Sequence, residues 1–207
     1  MKHFIFDLDG TLIDTEQSVL KTWQKTLSEY GHRFSLSDLS CVLGVTTDIG
    51  LQRLNVTVDG SFVDSWQTNY AEFAKEASYF DGVREMLLCL KNNGCSVGAV
   101  SSRCKKEYKD FFNQFGFEKI FDAVVLEEDT LNHKPHPEPL LKYLQLVKAD
   151  KSDCIYIGDM PGDVQCANSA GITSGLAVWN GSEIVCDQAN IILRSTDDVI
   201  SLAGISQ

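Results

Sequence analysis

Positive charge is scarce in this 207-residue chain: 18 lysines and arginines stand against 29 aspartates and glutamates, a formal net charge of −11. A field of that sign repels phosphate backbones and anionic lipid, so neither nucleic acid nor a membrane surface is an expected partner. A small phosphorylated substrate would need cations concentrated locally. Long apolar runs are missing as well. The longest uncharged stretch, residues 164–182, is broken by Gln165, Asn168, Ser169, Thr173, Ser174 and Asn180, and does not read as a membrane span. The seven cysteines are odd in number and include no Cys-x-x-Cys pair, so nothing suggests a zinc site or a redox dithiol. Free thiols in a reducing compartment are expected. The apolar run at residues 4–6 is too short before Asp7 to be a secretion signal, which makes a cytoplasmic protein the expectation.

What is present is a strand-helix alternation. Short apolar runs ending in polar or glycine-rich turns recur at residues 4–6, 96–100, 123–126, 155–157, 172–178 and 190–193. Helix-period segments separate them at 83–90, 105–115, 139–146 and 164–170. This pattern predicts an α/β fold, a doubly wound Rossmann-like parallel sheet with helices on both faces. Between residues 15 and 81 the alternation stops. Leu20, Trp23, Leu27 and Tyr30 form one helical stripe and Phe62, Trp66, Tyr70 and Phe73 another, the signature of helix-helix packing. The chain therefore reads as a core of residues 1–14 and 82–207 with an inserted helical cap at 15–81.

Four clusters carry chemistry. The first is Asp7-Leu8-Asp9-Gly10-Thr11 at the end of the first strand. Alternate residues of extended backbone point the same way, so Asp7 and Asp9 could share a face at the sheet edge where ligands collect. Two carboxylates there suit a hard divalent cation, although a glycine-containing turn uses Asp equally well. The second strand leads into Ser101-Ser102 before a helix pattern, which is either a helix cap or an anion site. After the third strand comes His133-Lys134-Pro135-His136-Pro137-Glu138-Pro139, holding three of the four prolines. Its rigidity would present the Lys134 ammonium from a fixed backbone, and its histidines are not at zinc spacing. The fourth strand ends in Gly158-Asp159-Met160-Pro161-Gly162-Asp163. Carboxylates converging from two strands would repel one another unless a cation such as Mg²⁺ lay between them.

These four clusters, in this order and across essentially the whole chain, resemble the ordered motifs of the haloacid dehalogenase superfamily of phosphohydrolases, in its phosphoglycolate phosphatase-like branch with a helical cap. The resemblance implies roles. Asp7 would be the nucleophile that forms an aspartyl-phosphate. Asp9 would protonate the leaving oxygen and then activate water. Ser101, the Ser102 amide and Lys134 would bind the phosphoryl group. Mg²⁺ would be held by Asp7, the Asp9 backbone carbonyl and Asp159, with Asp163 as ligand or support.

Within the family, Asp9 argues against dehalogenase and phosphonate chemistry, which lack that second aspartate. Phosphomutases typically carry a histidine and a cap arginine where Val19 and Thr47 stand here. The expected activity is thus a Mg²⁺-dependent phosphatase acting on a small phosphorylated metabolite, phosphoglycolate first, with inorganic pyrophosphate, a sugar phosphate or a nucleotide as alternatives. A phosphomutase or a non-catalytic phosphate-binding protein ranks below these, and a signalling receiver domain fits neither Asp9 nor the insert. Residues 43–48 are expected to touch substrate, motion is expected near 14–17 and 79–83, and the chain is expected to be a monomer or weak dimer.

Overall fold

A computed structural model describes residues 1–181 and 184–205. Ser182, the last residue of the long uncharged stretch, and the final two residues of the expected core lie outside them. In chain order the elements are β1 (His3–Phe6), β2 (Ile13–Asp14), α1 (Glu16–Glu29), α2 (Thr47–Arg53), α3 (Phe62–Phe73), β3 (Ser78–Tyr79), α4 (Val83–Asn92), β4 (Ser96–Val100), α5 (Lys105–Glu107), β5 (Ala123–Val125), α6 (Glu138–Val147), β6 (Cys154–Gly158), α7 (Pro161–Ala170), β7 (Thr173–Ala177), β8 (Ile191–Leu193) and α8 (Thr196–Leu202), joined by short 3₁₀ and π turns. Two compact units emerge: Met1–Ile13 with Tyr79–Gln207, and Asp14–Ser78.

The larger unit contains a six-stranded parallel sheet ordered β5-β4-β1-β6-β7-β8, and β2 pairs with β3 in a separate two-stranded sheet. The Rossmann-like α/β expectation holds. β1 is central, with Phe6 level with Ala99 of β4 and with Ile157 of β6. A strand covered on both faces needs no polar alternation, and Phe4, Ile5 and Phe6 are fully buried. Beneath one face, Ile5, Val100 and Tyr156 pack with Leu140, Tyr143 and Leu144 of α6 and Cys166, Ala167 and Ala170 of α7. Gly98 is required there because any Cβ would lie 2.3 Å from the Tyr143 ring. Parallel pairing thus delivers the ends of β1, β4 and β6 to one edge.

The smaller unit is helical. Leu20, Trp23 and Leu27 of α1 and Phe62, Trp66 and Tyr70 of α3 are buried, as their spacing predicted, with the Trp23 and Phe62 rings 5.5 Å apart, while Tyr30 and Phe73, at the ends of the two stripes, are half-buried. Asn69 donates to Thr26 Oγ1 at 3.1 Å, so a polar pair is satisfied between the two helices. The segment 43–48 has its flanks tied by Arg53, which donates to the Cys41 carbonyl at 2.8 Å.

Two expectations need correction. Residues 105–115 do not form one α-helix: α5 covers three residues, followed by a π turn at Tyr108–Phe112 and a 3₁₀ turn at Asn113–Phe115. Within the π turn Tyr108 and Phe112 stack nearly parallel, with ring centroids 6.1 Å apart. The apolar periodicity could not register that change of pitch. Asp7 and Asp9 likewise do not lie within the strand. β1 ends at Phe6, and the chain turns through Gly10 at φ +75°, with Leu12 N–H donating to the Leu8 carbonyl at 2.9 Å.

Candidate active site

Three carboxylates meet at the sheet edge. Asp7, directly after β1, and Asp159 and Asp163, after β6, are all buried and each offers one oxygen within 4.8 Å of the others. α7 aims Asp163 inward: Pro161 occupies its first turn, and Asp163 accepts from the Met160 amide at 3.1 Å, closing the N-terminus. Gly158 accommodates it, since a Cβ there would lie 2.4 Å from the Asp163 carboxyl carbon.

Lys134 enters from the proline-rich loop. Its Nζ lies 2.9 Å from Asp7 Oδ1 and 2.8 Å from Asp163 Oδ1. Burial penalises this ammonium, but Asp163 and Asp7 outweigh burial and hold its pKa above the usual lysine range. Burial drives the Asp7 carboxyl well above its ordinary value; Lys134 opposes this, while Asp163, Asp159 and Asp9 add to it. Burial also lifts Asp159, helped by Asp163 and resisted by a hydrogen bond from Thr11 Oγ1 at 3.0 Å, up to about 7. One lysine does not neutralise three buried carboxylates. An all-oxygen donor set with excess negative charge fits a hard divalent cation, which would take the place of protons.

Asp9 is placed differently. Its carboxylate sits in the guanidinium fork of Arg103, with Nε to Oδ2 at 3.0 Å and Nη2 to Oδ1 at 2.7 Å. Ser101 is buried at the end of β4, and its Oγ accepts from the Arg103 amide at 3.2 Å. The residue that caps α5 is Cys104, whose Sγ accepts from the Glu107 amide at 3.4 Å. The simple reading of Ser101 as a helix cap is therefore replaced by a turn inside the loop. Ser102 is half-buried in that loop. Lys105 and Lys106 are exposed and pair with Asp129 and Asp110.

Sequence reasoning missed several residues. Tyr156 lies inside β6, and its hydroxyl reaches the Val100 carbonyl at 3.0 Å and Asp163 Oδ1 at 3.1 Å. A tyrosine within an apolar strand is the signal that could have found it, because a buried hydroxyl needs a partner. Asn180, past β7, donates to the Gly10 carbonyl at 2.9 Å, and Trp179 Nε1 donates to the Thr11 carbonyl at 2.9 Å, fastening the turn that follows β1. Nothing in their local sequence marks them. Arg103, next to Ser102, went unassigned for want of a visible partner.

Known proteins can now be set beside this geometry. The haloacid dehalogenase-like hydrolase family model matches residues 4–177. A protein provisionally named pyrophosphatase PpaX from Caldanaerobacter subterraneus is 31% identical over 185 residues, covering 85% of this chain and 81% of that protein. Pyrophosphatase PpaX from Halalkalibacterium halodurans is 27% identical over 207 residues, covering 97% and 96%. Among solved structures, a hydrolase from Pseudomonas syringae superposes with a TM-score of 0.84 at 19% identity, covering all of both chains. CbbY from Rhodobacter sphaeroides, in complex with phosphate, gives 0.84 at 14% identity, covering 96% of each. At those identities the structures speak for the fold alone.

Proposed function

We propose, from the premise that this chain belongs to the haloacid dehalogenase-like hydrolases, that it is a phosphatase releasing inorganic phosphate from a small substrate through an aspartyl-phosphate on Asp7. The observation that carries this reading is the Lys134 ammonium hydrogen-bonded to Asp7 inside a buried cluster of carboxylates at the sheet edge. That arrangement sets the nucleophilic carboxyl against a fixed cation, the demand that phosphoryl transfer makes on a protein.

Each residue then has a task. The Asp7 carboxylate attacks phosphorus, the bond from phosphorus to the leaving oxygen breaks, and Asp9 delivers a proton to that oxygen. Water next attacks the phosphoryl group, Asp9 takes the water proton, and the bond from phosphorus to Asp7 breaks, returning the carboxylate and freeing phosphate. Lys134 opposes the burial that raises the Asp7 carboxyl, favouring its ionised form, and neutralises the transferring group. Ser101 and the Ser102 amide hold phosphoryl oxygens. Asp7, Asp159 and the Asp9 carbonyl would hold Mg²⁺, which supplies charge neutralisation during transfer. Asp163 already accepts hydrogen bonds from Lys134, Tyr156 and the Met160 amide. Its role is to support this set rather than to supply its principal oxygen.

Inorganic pyrophosphate leads the substrate series, because relatives aligned over most of this chain carry that activity in their names; phosphoglycolate follows. The test is phosphate release from pyrophosphate, phosphoglycolate, sugar phosphates and nucleoside monophosphates, with Mg²⁺ and with EDTA, beside Asp7→Asn. The reading requires rapid release from at least one compound and its loss in both controls. Undiminished turnover in Asp7→Asn would refute it.

A further inference from the structure

Arg103 has no part in the reaction just described, yet it is among the most thoroughly fixed side chains of the core. It is buried, with its guanidinium forked onto both oxygens of Asp9. Behind it, Nη1 lies 3.6 Å from Glu107 Oε2, one helical turn on, and its Cζ stands 5.4 Å from the centre of the Phe112 ring. Its backbone is tied at both ends: the amide donates to Ser101 Oγ at 3.2 Å, and the carbonyl accepts from the Glu127 amide at 3.0 Å. The irregular helix belongs to this arrangement, since the π turn over Tyr108–Phe112 carries the ring that lies against the guanidinium. Single π turns concentrate at functional sites, where they re-aim a side chain.

The burial is graded. The side chains of Arg103 and Glu107 are 7% and 9% exposed, while that of Asp9 is 18% exposed. Asp9 is therefore the more accessible partner, and the groups that clamp it are the more deeply buried. A buried ion pair is a poor source of net stability, so stability alone does not account for an arginine placed against this carboxylate. A planar fork fixes the orientation of a carboxylate in a way that a point charge cannot.

We propose that Arg103, anchored by Glu107 and Phe112, is the positioning residue for Asp9, fixing the orientation in which that carboxylate exchanges protons with the leaving oxygen and with water. This rests on the reading of Asp9 as the proton-transfer group. Without the fork, the Asp9 side chain samples other rotamers, and the proton arrives misdirected.

The leaving group separates this role from a structural one. Expulsion of an alkoxide depends on protonation, whereas p-nitrophenolate departs without it. Single-turnover rates of phosphoryl transfer are measured with phosphoglycolate and with p-nitrophenyl phosphate. Loss of orientation in Arg103→Lys lowers the phosphoglycolate rate about 10- to 100-fold with KM little changed. The p-nitrophenolate burst stays within about threefold of wild type, because it does not draw on general acid catalysis. Glu107→Gln, which leaves the fork in place and loosens its anchor, shows the same pattern to a smaller degree and decides the matter if Arg103→Lys does not fold. Equal slowing with both esters, a change confined to KM, or wild-type rates would overturn the proposal. Asp9→Asn is the reference: if it transfers from phosphoglycolate at the wild-type rate, the proton-transfer reading of Asp9 falls, and the assignment of Arg103 falls with it.

Discussion

Gly10 shows how closely the residues after β1 are set against the acidic cluster. A Cβ at this position would lie 2.3 Å from Asp159 Oδ2, and its φ of +75° is one that other residues adopt at a cost. Gly10→Ala should lose about 1–2 kcal/mol from backbone strain before any clash, and calorimetric titration should show weaker Mg²⁺ binding as Asp159 is pushed aside. Asp159 also sets a pH dependence. Its carboxyl is raised by burial and by Asp163 to about 7, against 3.8 when unfolded. The folded protein then binds the proton more tightly than the unfolded chain, so the stability from this group is full at acid pH and is lost as pH rises towards about 7. A divalent cation bound among these carboxylates would replace the proton. Thermal unfolding in EDTA should therefore show this loss across the interval, and Mg²⁺ should raise the midpoint more at the alkaline end than at the acid end; the same increment at both ends would contradict the assignment.

At the level of elements, the strands were legible because a parallel sheet buried on both faces writes itself as short apolar runs, and β1 and β4 are such runs. α8 was overlooked although Ser195 and Asp198 spell a capping box: Asp198 N–H donates to Ser195 Oγ at 3.3 Å and Ser195 N–H donates to Asp198 Oδ2 at 3.0 Å. Only seven residues long, it offers too few turns for periodicity to stand out. The π turn was not legible, because aromatic spacing alone does not distinguish one helical pitch from another. Asp7, Asp159 and Lys134 could be placed at one edge from the order of strands. The Asp9–Arg103 pair could not, since 94 positions separate its members and only the folded backbone joins them. In the helical unit, Trp66 is buried and stacked on Tyr70 with centroids 5.0 Å apart. Trp66→Ala should cost about 3–5 kcal/mol by chemical denaturation; a loss below about 1 kcal/mol would mean that α3 is not held by this stripe.

Across the whole molecule, the −11 charge and the buried carboxylates state one electrostatic problem at two scales. A protein this acidic attracts a phosphorylated anion only where charge is locally reversed. Lys134 begins that reversal, and a divalent cation among Asp7, Asp159 and the residues around them would complete it. No helix among the described residues is long and apolar enough to cross a membrane. The central claim is that Asp7 carries the phosphoryl group between two half-reactions. Acid quenching during turnover of the best substrate, followed by borohydride reduction and peptide mass spectrometry, tests it most directly. The account predicts that modification is confined to Asp7, requires Mg²⁺ and accumulates in Asp9→Asn with an activated ester. An enzyme that turns over while Asp7 stays unmodified at every quench time, or that carries the label elsewhere, would contradict it.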